Sequence, residues 1–519
     1  MASNESTPSS PSGKHRITLI TKLGYGFGNF IGGGALSISS AWLLFFYTTF
    51  CNLPVWQGTL IFTIGTYLDV IENPLMGYIT DNFNNTRTGR KFGRRRFFIL
   101  LTVPLMFWYP LLWQTGKSFA YYLITYLIYE WFYTMFNVPF KTLPVEMTKD
   151  YTERSQLTGF MSVFGKVAGF VTSALPGVFF VLLGKNNPRS YQMAVLTYAA
   201  VMALAALCVY LVTWELPVSE VKSEHVNGFW DGFKKIFVDI ISTMRNKSFR
   251  WHIGMYAFGF GGEWLFAATN TYFFIFVLAQ TNVFVSEINS INNILQLIST
   301  FFIMWVFAKY GKASKPYMLA LTTVIVSMIA WCCVWFAGAT SMTWLIFAIS
   351  IVYGLGTGAV YYIPWANYSY MADVDEAITN RRREGIYSGA MTMMGKIMRA
   401  TIMLILGFVL TETGFVKGRA TQPLSAQWGI VLILLVGVCG LELLGIWSSK
   451  HMHVNRDTLK ILNDETKRRH EGGRPEDVDP KTKAVVEDLT GFKYDQCYGN
   501  NNVGYHEKTD HAKRVSTTH

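Results

Sequence analysis

The sequence is short of charge. Asp, Glu, Lys and Arg make up 15% of its 519 residues, where a soluble domain carries about 25%. Too few polar groups remain to cover the surface of an ordinary soluble enzyme. Cysteine is scarce as well. Cys51, Cys208, Cys332, Cys333, Cys439 and Cys497 stand without paired spacing, so neither a disulfide framework nor a metal site is implied. Catalytic signatures are missing: no H-E-x-x-H, C-x-x-C or G-x-S-x-G occurs. Gly116-Lys117-Ser118 lacks the upstream glycine of a phosphate loop, because position 111 is Leu. Without a nucleotide site, energy for pumping must come from an ion gradient or from the solute. The Ser/Pro-rich start, 1–16, has no apolar core of a signal peptide.

What is present is apolar. Hydrophobic residues reach 51% and aromatics 16%, and mean hydropathy is +0.26 despite a polar tail. This specifies an integral membrane protein. A spanning helix needs roughly 20 mainly apolar residues. Twelve stretches qualify: 18–47, 57–82, 96–115, 119–147, 153–184, 191–215, 250–280, 286–310, 315–338, 341–373, 384–413 and 425–449. The expected organisation is an N-terminal tail (1–16), a six-helix bundle (17–215), a central loop (216–249), a second six-helix bundle (250–449) and a tail (450–519). Basic residues set the orientation. Segment 81–96 holds Arg87, Arg90, Lys91, Arg94, Arg95 and Arg96, Lys309, Lys312 and Lys315 follow the eighth span, and Arg381–Arg383 follow the tenth. Both termini are therefore expected in the cytoplasm. These loops account for the net charge of +12 without any nucleic acid partner. Segments 81–96 and 308–316 take equivalent places in the two halves, which points to an internal duplication.

Ionisable groups deep in a bilayer are costly and mark function. Asp69 lies roughly 18 Å into the second span by helical rise. Glu130, Lys166, Glu263 and Lys396 come out at similar depth, with Lys141 about one turn lower. Asp69, Glu72 and Asn73 stand at i, i+3 and i+4, on one helix face. Clustered oxygens suit a hard monovalent cation or a proton; an interhelical pair of Asp69 with Lys166 or Lys396 is the plainer alternative.

Lys22-Leu23-Gly24-Tyr25-Gly26-Phe27-Gly28, Asp69-Val70-Ile71-Glu72-Asn73-Pro74-Leu75-Met76-Gly77, Asn137-Val138-Pro139-Phe140, Met371-Ala372-Asp373 and Arg383-Glu384-Gly385-Ile386-Tyr387 resemble motifs of the glycoside–pentoside–hexuronide:cation symporters. This melibiose-permease-like family belongs to the major facilitator superfamily, and the likeness extends over about residues 15–450. It implies an all-α membrane fold of twelve transmembrane helices in two six-helix bundles, rocking around a central cavity. It also implies cation-coupled symport of a glycoside, pentoside or hexuronide in the cell membrane, with no enzymatic activity and no cofactor beyond a coupling proton or sodium.

Carried over by residue, the cation site is Asp69, Glu72, Asn73 and Thr134. A sodium at Asp69 and Glu72 is the one metal implied. The family's acid and amide stand exchanged at 72 and 73, which tilts the expectation toward protons. Lys396, with Thr392 one turn before, matches a family lysine. Gly33 and Asn137 replace two sugar-binding aspartates, Lys141 replaces an aromatic, and Ser162 replaces an arginine with Lys166 one turn on. Tyr25, Tyr361, Tyr362 and Trp365 offer flat faces to a sugar ring. The solute is anionic if Lys141 and Lys166 are unpaired. It is neutral if Lys141 pairs with Glu146 or Glu130, and Lys166 with Asp69 or Glu263. Asp81, Arg90 and Arg94 are expected to form a gate.

Three rivals stay open: a lysolipid or other amphiphile carrier, which a cleft between the fifth and eighth spans favours; a uniporter; and a sensor or scaffold acting through its tail. In the tail, helical periodicity over 456–470 and a structured segment at 479–499 are candidates to dock on the cytoplasmic face or on a soluble partner, the alternative being a solvated extension.

Overall fold

The computed structural model describes residues 16–148, 151–184, 187–215, 238–381 and 383–501, and these carry helices and no β-strand. Residues 1–15 of the N-terminal tail and 216–237 of the central loop lie outside the described residues. The long helices are α1 (Leu19–Thr49), α2 (Val55–Asn82), α3 (Arg96–Trp113), α4 (Phe119–Met147), α5 (Tyr151–Leu183) and α6 (Pro188–Val212). They continue as α7 (Lys247–Tyr272), α8 (Asn282–Tyr310), α9 (Ser314–Phe336), α10 (Thr343–Thr379), α11 (Glu384–Glu412) and α12 (Leu424–Lys450). Two shorter helices, α13 (Arg456–His470) and α14 (Pro480–Thr490), follow in the tail.

Among the described residues, nine helices are long and apolar enough to cross a membrane. The three long helices outside that set, α2, α4 and α7, carry Asp69 and Glu72, Glu130 and Lys141, and Glu263. Helix starts follow local chemistry. Ser118, Asn187, Asn246 and Thr281 each accept a backbone N–H of the first turn, and Pro188 sits at the first turn of α6, where its missing donor is harmless. α10 outruns its apolar stretch, ending at Thr379, because Asp375 in its last turns is buried against Arg383.

Several helices depart from α geometry. α1 contains π turns at Phe30–Gly34 and Ser39–Leu43, a device common at functional sites. The Tyr198 hydroxyl donates to the Phe30 carbonyl at 2.5 Å, satisfying an acceptor at the first π turn. Gly34 is required there, since any Cβ would collide with that hydroxyl.

Helices α1–α6 pack on one another, as do α7–α12, and the sets meet chiefly through α2 on α11 and α5 on α8. A shift of six places turns one crossing into the other. Close approach of α7 and α12 relies on small residues: a Cβ at Gly445 would lie 3.5 Å from the Gly259 nitrogen. Hydrogen bonds between the sets gather at the end where α1 turns into α2. There Thr48 and Tyr272 share a bond of 2.9 Å, Thr271 donates to the Ala41 carbonyl at 2.7 Å, and Lys417 donates to the Asn52 carbonyl at 2.9 Å.

At the opposite end the basic segment is built in. Glu215, just past α6, accepts the backbone N–H groups of Arg94 and Arg95 at 2.8 Å each, and that of Arg96. It thereby supplies negative charge to the start of α3. Gly93 has φ +91° and abuts Glu215, so only glycine fits the turn without strain.

The described part of the tail, up to residue 501, is folded rather than solvated. α13 coincides with the periodic stretch 456–470, and α14 with Tyr494–Gln496 forms the segment expected at 479–499. Lys247 contacts Asp488 at 2.7 Å, Ser248 donates to the Leu489 carbonyl at 2.6 Å, Arg456 donates through its backbone to Gly311 at 3.1 Å, and Tyr498 does so to Ala377 at 2.8 Å. Burial pushes the Asp488 carboxyl up, but Lys247 and His453 outweigh it and hold the group below the usual range. The docking surface is the chain's own α7, α10 and the α8–α9 turn.

Candidate functional site

Between the two sets of helices lies a cavity of ≈ 240 Å³. Thr66, Asp69 and Asn73 of α2, Glu130, Thr134, Asn137 and Lys141 of α4, and Thr392, Lys396 and Arg399 of α11 line it. Tyr126, Tyr129 and Tyr133, with Tyr256, Trp264 and Trp365, supply aromatic faces. A second cavity of ≈ 220 Å³ shares Leu36 and Trp264 with the first. Asn270 of α7, and Asn289, Asn292, Asn293 and Gln296 of α8, make it rich in amides.

Asp69 is the hub of the first cavity. Its Oδ2 lies 2.7 Å from the Lys396 Nζ. Its Oδ1 accepts the Thr134 hydroxyl at 3.0 Å and the Asn73 amide at 2.6 Å. Lys396 also donates to the Asp69 backbone carbonyl at 3.2 Å. Of the two alternatives at Asp69, the interhelical pair with Lys396 is the one that is formed.

Other expected residues divide. Asn137, Lys141, Trp365 and Thr392 line the cavity. Glu72 does not: a separation of three residues turns it about 60° from Asp69, and its Oε2 is buried without a hydrogen-bond partner. Tyr25 is fully buried, donates to the Phe140 carbonyl at 3.1 Å and stacks on that ring at 4.6 Å. It is a packing residue, not a sugar platform. Gly33 faces the α5 backbone, where a Cβ would sit 3.4 Å from the Gly165 Cα; it permits helix approach and lines neither cavity. Ser162 donates to the Thr158 carbonyl at 2.9 Å and also lies outside both linings.

The expected pairings change too. Glu146 binds Arg94 and Arg95 at 2.5 Å each, so it is not the partner of Lys141. The Lys141 ammonium has no hydrogen bond or ion pair among the described residues. Lys166 donates to the Gln296 side chain and lies 4.4 Å from the Tyr361 ring centre, rather than pairing with Asp69. Arg94 is a latch between α3 and α4, and Arg90 lies in the short helix Arg87–Phe92. The side chain of Asp81 lies outside the described residues. A second latch joins α10 to α11: Arg383 grips Asp375 through two bonds of 2.7 Å, with Tyr387 donating at 2.7 Å.

The sequence reading passed over Arg399 and the amide row. Asn289, Asn292, Asn293 and Gln296 stand at i, i+3, i+4 and i+7. In an apolar helix that spacing makes one polar face. The Asn289 Nδ2 and Asn292 Oδ1 are buried without partners, leaving a donor and an acceptor suited to hydroxyl groups. Across the two crossings the layout repeats. Asp69 is the fifteenth residue of α2 counted from Val55, Gln296 the fifteenth of α8 counted from Asn282, and each receives a lysine from the opposite set of helices.

A family model described as MFS/sugar transport protein matches residues 24–450. A glucuronide carrier protein homolog of Escherichia coli K12 is 24% identical, over 82% of this chain and 91% of its own length. The sodium-dependent lysophosphatidylcholine symporter 1 of Xenopus tropicalis is 22% identical, over 85% of this chain and 89% of its own. Among solved structures, a D-xylose–proton symporter superimposes with a TM-score of 0.56 at 12% identity, over 84% of this chain and 97% of that one, a likeness of fold.

Proposed function

The chain belongs to the MFS/sugar transport protein family, and we propose that it moves a sugar-type solute by alternating access, coupled to a cation through Asp69. It is a multi-pass protein of the cell membrane and a transporter of the sugar/cation symporter type, not an enzyme. On our reading α1–α12 all span the bilayer, as two bundles at 17–215 and 250–449, with both termini in the cytoplasm. The end joined by Thr48–Tyr272 is then extracellular and closed, and the cavity opens inward.

The observation that carries the coupling is Lys396 seated on Asp69 in the cavity wall. A proton or sodium ion on Asp69 removes the charge that holds Lys396 and frees α11 from α2. Solute binding between the same helices and ion binding then affect each other reciprocally. The Asn73 amide points its donor, not its oxygen, at Asp69, so a proton suits the site better than sodium.

The unpaired Lys141, in a cavity that Arg399 also lines, favours a solute bearing a carboxylate, a hexuronide rather than a neutral glycoside. Binding of p-nitrophenyl β-D-glucuronide and of the matching glucoside to purified protein tests this. Loss of one charge-assisted bond weakens binding by about tenfold or more, so Lys141→Gln is expected to cost that much for the glucuronide and little for the glucoside. Equal affinities unchanged by the substitution would make Lys141 a structural group and the solute neutral.

One feature supports the amphiphile reading: a groove of ≈ 380 Å³ between α5 and α8, lined by Phe170, Val178, Val181, Val283 and Ile291. Ser286, which also lines the groove, donates to the Ser173 carbonyl, and Ser173 lines the amide-rich cavity. That bond stands between the two spaces. The polar linings behind it favour a carbohydrate.

Arg94 and Arg95 on Glu146 are proposed, together with Arg90 and Asp81 of the same basic segment, as the inner gate. Glu146 and Arg94 have side-chain exposures of only 5% and 7%, and removing one partner of such a pair costs about 3–5 kcal/mol. Glu146→Gln is therefore expected to lower the thermal midpoint and the turnover rate while solute affinity holds. A change confined to affinity would place the effect in the cavity instead.

A further inference from the structure

The last six helices hold a carboxylate that the coupling at Asp69 does not use. Glu442 of α12 is fully buried, and neither of its oxygens has a hydrogen-bond partner among the described residues. Its Oε1 is turned onto Gly262 of α7, so close that any Cβ there would collide with it. The neighbouring residue is Glu263, itself 3% exposed. Glu263 Oε2 accepts the Tyr353 hydroxyl at 2.8 Å, while its Oε1 is buried and unpartnered. The Glu442 carboxyl thus lies against the residue that precedes Glu263 on α7.

A pair of buried carboxylates, three of whose four oxygens lack a donor, is not tenable as two anions. Something positive must be held there. A metal ion of the hard type needs about six oxygen ligands, and Glu442 lines none of the described cavities. A proton needs only one oxygen. Glu263, by contrast, lines the amide-rich cavity, so one member of the pair meets the solute space and the other is sealed behind it.

We propose that Glu263 and Glu442 form a second proton-binding site, in the last six helices and independent of Asp69. Glu263 takes a proton from hydronium in the cavity, leaving water and a carboxylic acid, and shares it with Glu442; release reverses the step. Facing groups on the packed elements are Tyr317 of α9, Tyr353 and Tyr361 of α10, Cys439 of α12 and Lys166 of α5. Lys166 is the only cation among them. Seated on Gln296, it favours the ionised form of Glu263; when the α5–α8 crossing opens and withdraws it, Glu263 is left to bind the proton. This rests on the proton-coupled reading above.

The test needs no solute. Infrared difference spectra are recorded on the full chain in proteoliposomes as bulk pH is stepped, for wild type, Asp69→Asn, Glu263→Gln, Glu442→Gln and the double variant. A titrating band from a carboxylic acid in an apolar setting is expected in wild type and in Asp69→Asn. It should shift in each single glutamine variant and vanish in the double variant. A band unchanged in the double variant, or lost with Asp69→Asn, overturns the proposal. If the double variant does not fold, an unshifted band in Glu263→Gln suffices to reject it. Because Asp69→Asn removes the coupling acid without touching this pair, failure of the coupling reading and failure of this one give different spectra.

Discussion

Asp69→Asn protein is expected to lose accumulation of solute against a gradient altogether, while exchange of solute across the membrane continues. The asparagine keeps the size of the side chain and its contact with Thr134, but gives Lys396 no charge to sit on. Lys396 is 19% exposed and lies 2.7 Å from Asp69 Oδ2, so the pair is shielded from water and worth roughly 3–5 kcal/mol when one partner is removed. With that tie gone, α11 is no longer released by the ion, and movement of the helices ceases to depend on it. Uptake under an imposed cation gradient, set beside counterflow in the same proteoliposomes, separates the two functions. A variant that still concentrates solute would take Asp69 out of the coupling.

The second large effect concerns the tail. A chain ending at Asn455 is expected to fold poorly or to melt several degrees lower. Leu462, Val486, Leu489, Tyr494 and Cys497 are buried to 4% exposure or less, and each apolar side chain so buried is worth about 1.5–3 kcal/mol. Their loss also uncovers Phe249, Tyr387 and Val374, which share that core. Leu489→Asp, which leaves the chain full length, should undock the tail and expose it to protease without deleting anything. A truncated protein with an unchanged midpoint, or a Leu489→Asp tail as resistant as wild type, would mean that the docking contributes nothing.

Much of this arrangement is legible in the sequence because membrane helices announce themselves by apolar length. α4 runs Phe119–Met147, as its stretch reads, while α10 does not stop where hydropathy does. Asp373, Asp375 and Glu376 look like the start of a loop, and the grip of Arg383 and Tyr387 on Asp375, eight and twelve residues away, helps the helix run on there. The site was readable where a single helix carries the information. Asp69 and Asn73 follow helical spacing and line the cavity, whereas Glu72, read onto the same face, does not; the four amides of α8 follow helical spacing too, and their periodicity was the available and unused signal. It failed where the meaning lies in a neighbour. Gly33 and Tyr25 belong to α1 on sequence grounds, yet whether they meet solute or the α4 and α5 helices depends on how closely those helices approach. Likewise Glu146 stands five residues from Lys141 but answers to arginines some fifty positions earlier.

The lysines at the two crossings make unequal seams. Lys396 reaches Asp69 across one, and Lys166 reaches Gln296 across the other. Position fifteen of α2 is an acid, whereas position fifteen of α8 is an amide. An ammonium on a neutral amide, as Lys166 on Gln296, is held by about 1.5–3 kcal/mol, whereas removing one partner of a shielded ion pair such as Lys396 on Asp69 costs about 3–5 kcal/mol. The α5–α8 strut thus ends on an amide that takes up no proton, and on the coupling proposed above only the α2–α11 strut is released by an ion on Asp69.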